Sequence, residues 1–271
     1  MGRAPTAVLP TQTWQAMGAA DRPSVLGIPI DAAGMAAVDA RLAAADGLTH
    51  VATVNPEYAM LARRDPVFAA ALAAAEVHLA DGVGITLALR LRGIAAVRAT
   101  GVALVDHLVA TGEPTFLLGA APGVAEAAAR VLAQRHRLGR VAGWWADGTP
   151  DRSHDDESLR RIVASGATVV LVAYGAAGQV AWIERNRARL ETAGVRVAAG
   201  IGGALDYHAG RTRLAHPLVR RVGLEWLNRL AREPWRWRRQ TVLPVFALLA
   251  VGEAGREALR GRRGAGRRRP V

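Results

Sequence analysis

His50–Leu79, HVATVNPEYAMLARRDPVFAAALAAAEVHL, decides the fold. The stretch opens on a short apolar run with β-branched residues, His50–Thr53, and closes on another, Val77–Leu79. Between them lie two segments of helical period, each introduced by a capping side chain and a proline: Asn55-Pro56 and Asp65-Pro66. Proline suits that place because its fixed φ is helical and its missing N–H has no partner to lose in the first turn. Short strands separated by helices are the unit of a parallel sheet, since parallel neighbours require a crossover.

The same alternation extends in both directions. Further strands are expected at Val25–Ile28, Thr115–Leu118, Arg140–Trp144, Thr168–Val172 and Arg196–Ala199. Helices are expected near Met35–Ala45, Pro56–Arg64, Pro66–Ala75, Ile85–Leu91, Val102–Ala110, Val124–His136, Asp155–Ala164 and Gln179–Leu190. The pattern predicts an α/β fold, a Rossmann-like and mainly parallel sheet with crossover helices, plus a basic helical C-terminal appendage. It divides into a flexible leader over 1–23, an α/β core over 24–212, a membrane-associating appendage over 213–251 and an Arg-rich tail over 252–271.

Composition narrows the chemistry. The 271 residues contain no Cys, which removes disulfides, thiol nucleophiles and thiolate metal sites. All 35 basic residues are Arg, so a P-loop NTPase, which needs a Walker lysine, is excluded. Up to Gly210 the chain carries 19 Arg against 19 acids; beyond it stand 16 Arg against Glu225, Glu233, Glu253 and Glu257. The formal charge of +12 therefore belongs to the C-terminal end, where Arg is interleaved with Trp226, Trp235 and Trp237. Such a surface suits phosphates or an anionic membrane. The apolar stretch Thr241–Val251 contains Pro244 and is far short of the ~20 residues a membrane-crossing helix needs.

Ligands of open α/β sheets bind beyond the carboxyl ends of the strands, so the residues just past each strand end are the ones that matter. Asp81, flanked by Ala80 and Gly82, is either a general base or a helix cap. Thr53 and Asn55 can orient a sugar hydroxyl, or Asn55 can simply cap a helix. Gly119–Gly123 resembles a phosphate-cradling turn opening a helix. Tyr174-Gly175 with Gln179, and Gly202-Gly203 with Asp206, complete the edge. In the basic end, Arg229, Arg236 and Arg239 share a helical spacing that suits either a diphosphate or a solvated face.

Together these letters resemble a known family. Thr53-x-Asn55, Asp81-Gly82-x-Gly84, Arg98-x-x-Gly101, Gly175-x-x-x-Gln179, Gly202-Gly203-x-x-Asp206 with Gly210, Gly223-Leu224-Glu225-Trp226-Leu227-x-Arg229 and Glu233-Pro234-x-Arg236-x-x-Arg239 are similar, in order and spacing, to the bacterial WecG/TagA/CpsF glycosyltransferases. The resemblance runs from about Val25 to Arg239. It implies an inverting transfer of an N-acetylmannosamine-type or related sugar from a UDP-sugar donor to an undecaprenyl-diphosphate-linked sugar acceptor, at the cytoplasmic face of the inner membrane.

By the same resemblance Asp81 is the base that deprotonates the acceptor hydroxyl. Thr53, Asn55, Arg98 and Gln179 line the sugar pocket, while Arg229, Arg236 and Arg239 close over the diphosphate. Gly119, Gly123, Gly175, Gly202, Gly203 and Asp206 are the nucleotide-binding set. No cofactor, metal or nucleic-acid partner is expected; an anionic membrane surface is, and a homo-oligomer is left open. The chain departs from the family pattern at Ala177 and Val180, at Leu214 and His216, and at Ala103, near the donor pocket and the appendage junction. Two other classes fit less well. A nucleic-acid-binding protein using Arg256–Arg269 is opposed by the body's lack of surplus charge, and a nicotinamide oxidoreductase by the missing glycine fingerprint after the first strand.

Overall fold

A computed structural model describes residues 22–212 and 241–266. At the start of the first segment the single strand expected over Val25–Ile28 is replaced by a hairpin, β1 (Ser24–Val25) antiparallel to β2 (Ile28–Pro29). Leu26 and Gly27 both take positive φ, 51° and 84°, which turns the chain back within two residues. The type I′ turn of a two-residue hairpin requires φ > 0 at both central residues in this way.

The remaining strands, β3 (Thr49–Val54), β4 (Val77–Ala80), β5 (Thr115–Gly119), β6 (Val141–Trp145), β7 (Val169–Ala173) and β8 (Val197–Gly200), match the expected positions to within a residue or two. They form one parallel sheet in the order β4-β3-β8-β7-β5-β6. The helices are α1 (Met35–Ala44), α2 (Pro56–Ala62), α3 (Pro66–Ala73), α4 (Val83–Leu91), α5 (Gly101–Ala110), α6 (Val124–Arg135), α7 (Asp155–Ser165), α8 (Gly175–Thr192), α9 (Ala204–His208) and α10 (Val242–Gly266). The two caps read from the sequence form as such: Asn55 accepts from the Tyr58 amide, and Asp65 from the Val67 and Phe68 amides.

Both faces of the sheet are covered, which is why its strands read as nearly continuous apolar runs. On one side Val51, Leu117 and Leu171 pack with Val38 of α1, Leu104 and Leu108 of α5, Leu132 of α6 and Leu205 of α9. The other side holds two clusters. Val54 and Ala80 meet Tyr58, Phe68, Leu72, Ile85 and Leu89, while Phe116, Leu118 and Val170 meet Leu159, Ile162, Trp182 and Ile183.

Helix α10 lies against α2 and α4, burying Phe246 and Ala250. Its Pro244 sits in the first turn, where the missing N–H breaks no helical bond, so the helix runs on through Val251 to Gly266. Two carboxylates fasten it: Glu253 accepts from the Leu26 amide at 3.0 Å and Glu257 pairs with Arg92 at 2.5 Å. The β1–β2 turn is thereby tied to the far end of the chain. Residues 213–240, which hold the greater part of the expected appendage, lie outside the described residues.

Candidate active site

Sheet register assembles the site. Val54 pairs with Ala80, Ala52 with Gly200, Val172 with Gly200 and Gly119 with Ala173. The carboxyl ends of β4, β3, β8, β7 and β5 therefore lie level, and the residues just beyond them form one rim: Asp81, Asn55, Ile201-Gly202, Tyr174 and Ala120. Successive strands are ~4.8 Å apart, so the rim is on the order of 20 Å long.

The chain changes direction at two points along it, the switch points at which an open α/β sheet forms its crevices. The chain leaves β3 outward to β4, whereas α9 after β8 packs on α5 and α6 in the other direction. A second reversal falls between β7, which leads to β8, and β5, which leads to β6. Crevices of this kind are where open α/β sheets hold their ligands.

The first crevice gathers Thr53, Asn55, Gln179, Gly202 and Asp81. Asp81 comes directly after β4, its amide donating to the Val54 carbonyl at 2.8 Å, and α4 begins just after it with Gly82 as N-cap. Beside it runs the segment carrying Arg98, because the Ala99 amide donates to the Ala80 carbonyl at 3.0 Å. Thr53 is buried and gives its hydroxyl proton to the Gly200 carbonyl at 2.9 Å. Gln179 is buried too, and both ends of its amide are used: Oε1 accepts from the Gly202 amide at 2.9 Å, and Nε2 donates to Tyr58 Oη at 2.5 Å. The crevice floor is thus a set of interlocked polar groups with the Asp81 carboxylate next to it, close enough to contribute to the rise in the Tyr58 pKa, which burial dominates.

The second crevice is built around glycine. Tyr174 lies over Gly119, whose Cβ, if it had one, would stand 2.7 Å from the ring. The chain then turns through Ala120, φ 69°, and Gly123, φ 75°, into α6. Gly123 as N-cap brings no side chain to the first-turn amides, and neither does Gly82 at α4. Uncapped first turns at a sheet rim suit anions. Arg211 holds this turn from outside, donating to the Pro122 carbonyl at 2.8 Å. Gly175, φ 75°, starts α8; Gly203 is the N-cap of α9, and Asp206 lies in that helix's first turn.

The rim therefore brings together Asp81, Thr53, Asn55, Arg98, Gln179, Gly119, Gly123, Gly175, Gly202, Gly203 and Asp206. Arg229, Arg236 and Arg239 lie outside the described residues. Two participants are not legible in the sequence. Tyr58 is three residues beyond its Asn55 cap, a spacing that turns it inward, yet nothing local shows that it meets Gln179 across 121 positions. By composition Arg211 belongs with the cationic end, and only the tertiary contact with Pro122 sets it apart.

A parallel sheet whose strand ends carry a carboxylate and uncapped helix starts places the chain in the doubly wound α/β class. Comparison with known proteins makes that class specific. Residues 23–260 match the model of the glycosyl transferase WecG/TagA/CpsF family, and the chain belongs to that family. It is a glycosyltransferase. Among its relatives is the N-acetylglucosaminyldiphosphoundecaprenol N-acetyl-beta-D-mannosaminyltransferase of Bacillus subtilis (strain 168), 28% identical over 75% of this chain and 79% of the relative. The protein of the same name from Bacillus spizizenii (strain ATCC 23059 / NRRL B-14472 / W23) is 32% identical over 72% of this chain and 76% of its own length.

Proposed function

We propose that this glycosyltransferase moves an N-acetylmannosamine-type sugar from a UDP donor to a sugar carried on undecaprenyl diphosphate, with inversion, in the synthesis of a cell-envelope or exopolysaccharide polymer. The observation that carries the reading is the gathering of Asp81, Thr53, Asn55, Gln179 and Gly202 in one crevice, with the anion-ready Gly119–Gly123 turn in the next. The relatives' names supply the sugar and the lipid.

In this reading the sugar lies over β4, β3 and β8, and the nucleotide extends toward β7 and β5. Asp81, adjoining the crevice, takes the proton of the acceptor hydroxyl as its oxygen attacks the anomeric carbon. The bond from that carbon to the β-phosphate oxygen breaks, and UDP leaves with the electron pair. The first-turn amides of α6, and the arginines Arg229, Arg236 and Arg239, would face the charge that grows on the diphosphate. Arg98, whose backbone neighbour Ala99 is bonded to Ala80, belongs to the same wall.

The enzyme would work as a peripheral protein on the cytoplasmic face. No helix among the described residues is long and apolar enough to cross a membrane. Helix α10, docked through Phe246 and Ala250, exposes Val245, Leu248, Val251 and Leu259 on the opposite side, in a segment that also carries Arg256. An apolar stripe beside arginine suits an anionic bilayer.

The test is to incubate the full chain with a lipid-diphosphate-GlcNAc analogue and a panel of UDP-sugars, reading products by mass. The expected product is one N-acetylhexosamine heavier than the acceptor, and Asp81→Asn should lower turnover by about 10²–10⁴-fold with the fold retained. Turnover of Asp81→Asn near the wild-type rate removes Asp81 as the base. No product from any UDP-sugar overturns the function.

A further inference from the structure

Helix α4 leaves the rim just after Asp81, and its outer face carries apolar side chains into solvent. Leu87 and Leu91, one turn apart, are 51% and 52% exposed, and Arg90 is exposed between them. We propose that this face of α4 is a second membrane contact, continuous with the apolar stripe of α10, and that it seats the Asp81 crevice on an anionic leaflet. The inference rests on the reading of the enzyme as a peripheral one, and it gives the catalytic core a leaflet contact of its own.

Packing within the protein does not use these leucines. The inner face of α4 is Ile85, Ala88 and Leu89, buried with Val54 and Ala80 of the sheet. Helix α10 lies alongside α4 and runs in the same direction. Phe246 approaches α4 at Gly84, near its start, and Glu257 pairs at 2.5 Å with Arg92, the residue that ends it. Leu87 and Leu91 stand three and seven residues beyond Gly84, so all three share one side of the helix and the leucines flank the α10 seam.

Across that seam α10 exposes Val245, Leu248, Val251 and Leu259. Two adjoining helices thus present one apolar surface. The charges beside it are cationic: Arg90 on α4, and Arg256 on α10, with Arg260, Arg262 and Arg263 following in the same helix. The acids of α10 are engaged, Glu253 with the Leu26 amide and Glu257 with Arg92. Leucines beside guanidiniums match an anionic leaflet, in which acyl chains lie directly beneath phosphates.

The contact bears on the reaction through distance. Helix α4 has the sheet on its inner side and the leaflet on its outer side, and a helix is about 10 Å across. Asp81, two residues before α4, then stands about one helix diameter from the lipid phosphates. A sugar displayed on a lipid diphosphate reaches that far without leaving the membrane.

The chain has no Cys, so one introduced thiol carries one nitroxide on the full-length protein. Labels at Leu87→Cys and Leu91→Cys should lose accessibility to a water-soluble relaxation agent when phosphatidylglycerol vesicles are added. A label at Leu138→Cys should not, since Leu138, 77% exposed, follows α6 on the other face of the sheet. Leu87→Glu and Leu91→Glu should each lower partition into these vesicles about tenfold, while Leu87→Met and Leu91→Met bind like the wild type. Each Glu variant should raise the KM for a lipid-diphosphate-GlcNAc acceptor embedded in the vesicles by a similar factor. With a short-chain soluble acceptor, kcat and KM should hold.

Labels at Leu87 and Leu91 that stay accessible on vesicle-bound protein overturn the contact, leaving another segment of this chain or a protein as the occupant of the face. An equal loss with the soluble acceptor overturns the seating role. If Leu248→Glu lowers vesicle binding and the α4 variants do not, α10 holds the membrane alone and the α4 contact falls. No vesicle binding by the wild type overturns the peripheral reading and this contact together. If the wild type binds vesicles but turns over no UDP-sugar, the transferase reading fails, while the labels still decide the contact.

Discussion

Gly200 occupies the point on the β8 exit where a methyl group would collide with buried Gln179: an added Cβ lies 2.8 Å from Nε2 and 3.0 Å from Cδ and Cγ. Overpacking of this kind costs about 1–3 kcal/mol. Gly200→Ala should therefore lower Tm by roughly 2–10 °C, and Gly200→Ala/Gln179→Ala should melt higher than the sum of the two single changes predicts, because the second change removes the collision. Additive losses in a thermal melt would place the strain elsewhere. The same scale shows how far letters alone reach. Asn55 was legible as a helix cap and is one. Gln179 was legible as a rim residue, but the use of both ends of its amide inside the protein depends on Tyr58 and Gly202, which adjoin it only in the folded chain.

Helix α10 shows the same contrast one level up. Its apolar start was visible in Thr241–Val251, yet the two faces differ in fate. Phe246 approaches the Gly84 position, where a Cβ would be 3.5 Å from its ring and 2.5 Å from Pro56 Cγ, so α10 packs against the first turn of α4, three residues past Asp81. Leu248, 75% exposed, points the other way. Substitutions on the two faces should separate docking from membrane binding. Leu248→Glu should weaken flotation with phosphatidylglycerol vesicles by about ten- to a hundredfold, since burying one leucine contributes about 1.5–3 kcal/mol, and should leave hydrogen exchange over Val242–Leu259 unchanged. Phe246→Ala should do the reverse to exchange, raising it across the helix as the docked face loses its main contact. Equal vesicle binding by wild type and Leu248→Glu would remove this face from the membrane proposal.

At the scale of the whole molecule, the end of the sheet opposite the rim is held by charge. His50 Nδ1 meets Glu184 at 2.5 Å, Arg187 bonds Glu184 at 2.8 Å and Glu76 at 3.1 Å, and Glu76 accepts from the His50 amide at 2.7 Å. The network joins β3, α8 and the turn between α3 and β4. Burial alone would raise the Glu184 pKa, but its bonds to His50 and Arg187 outweigh that and hold it at about 2, below the ordinary 4.5. A lowered carboxylate pKa means stability that is complete above the unfolded value and lost as pH falls through the folded one. Screened by solvent at this half-buried site, the contribution is on the order of 1 kcal/mol. The wild type should therefore outlast Glu184→Gln in denaturant melts at pH 7, and its advantage should shrink from about pH 4.5 toward 2; a constant advantage across that range would show that the pair does not titrate with folding. The alternation of β-branched runs and capped helices was enough to determine a parallel α/β sheet and which residues end its strands, because periodicity and caps are local physics. The family letters determined the class of chemistry. Strand order, the two crevices and the bonds that Gln179 makes to Tyr58 and Gly202 were decided only by tertiary structure, since each depends on which distant segments share a register or a buried contact, and no local spacing encodes that.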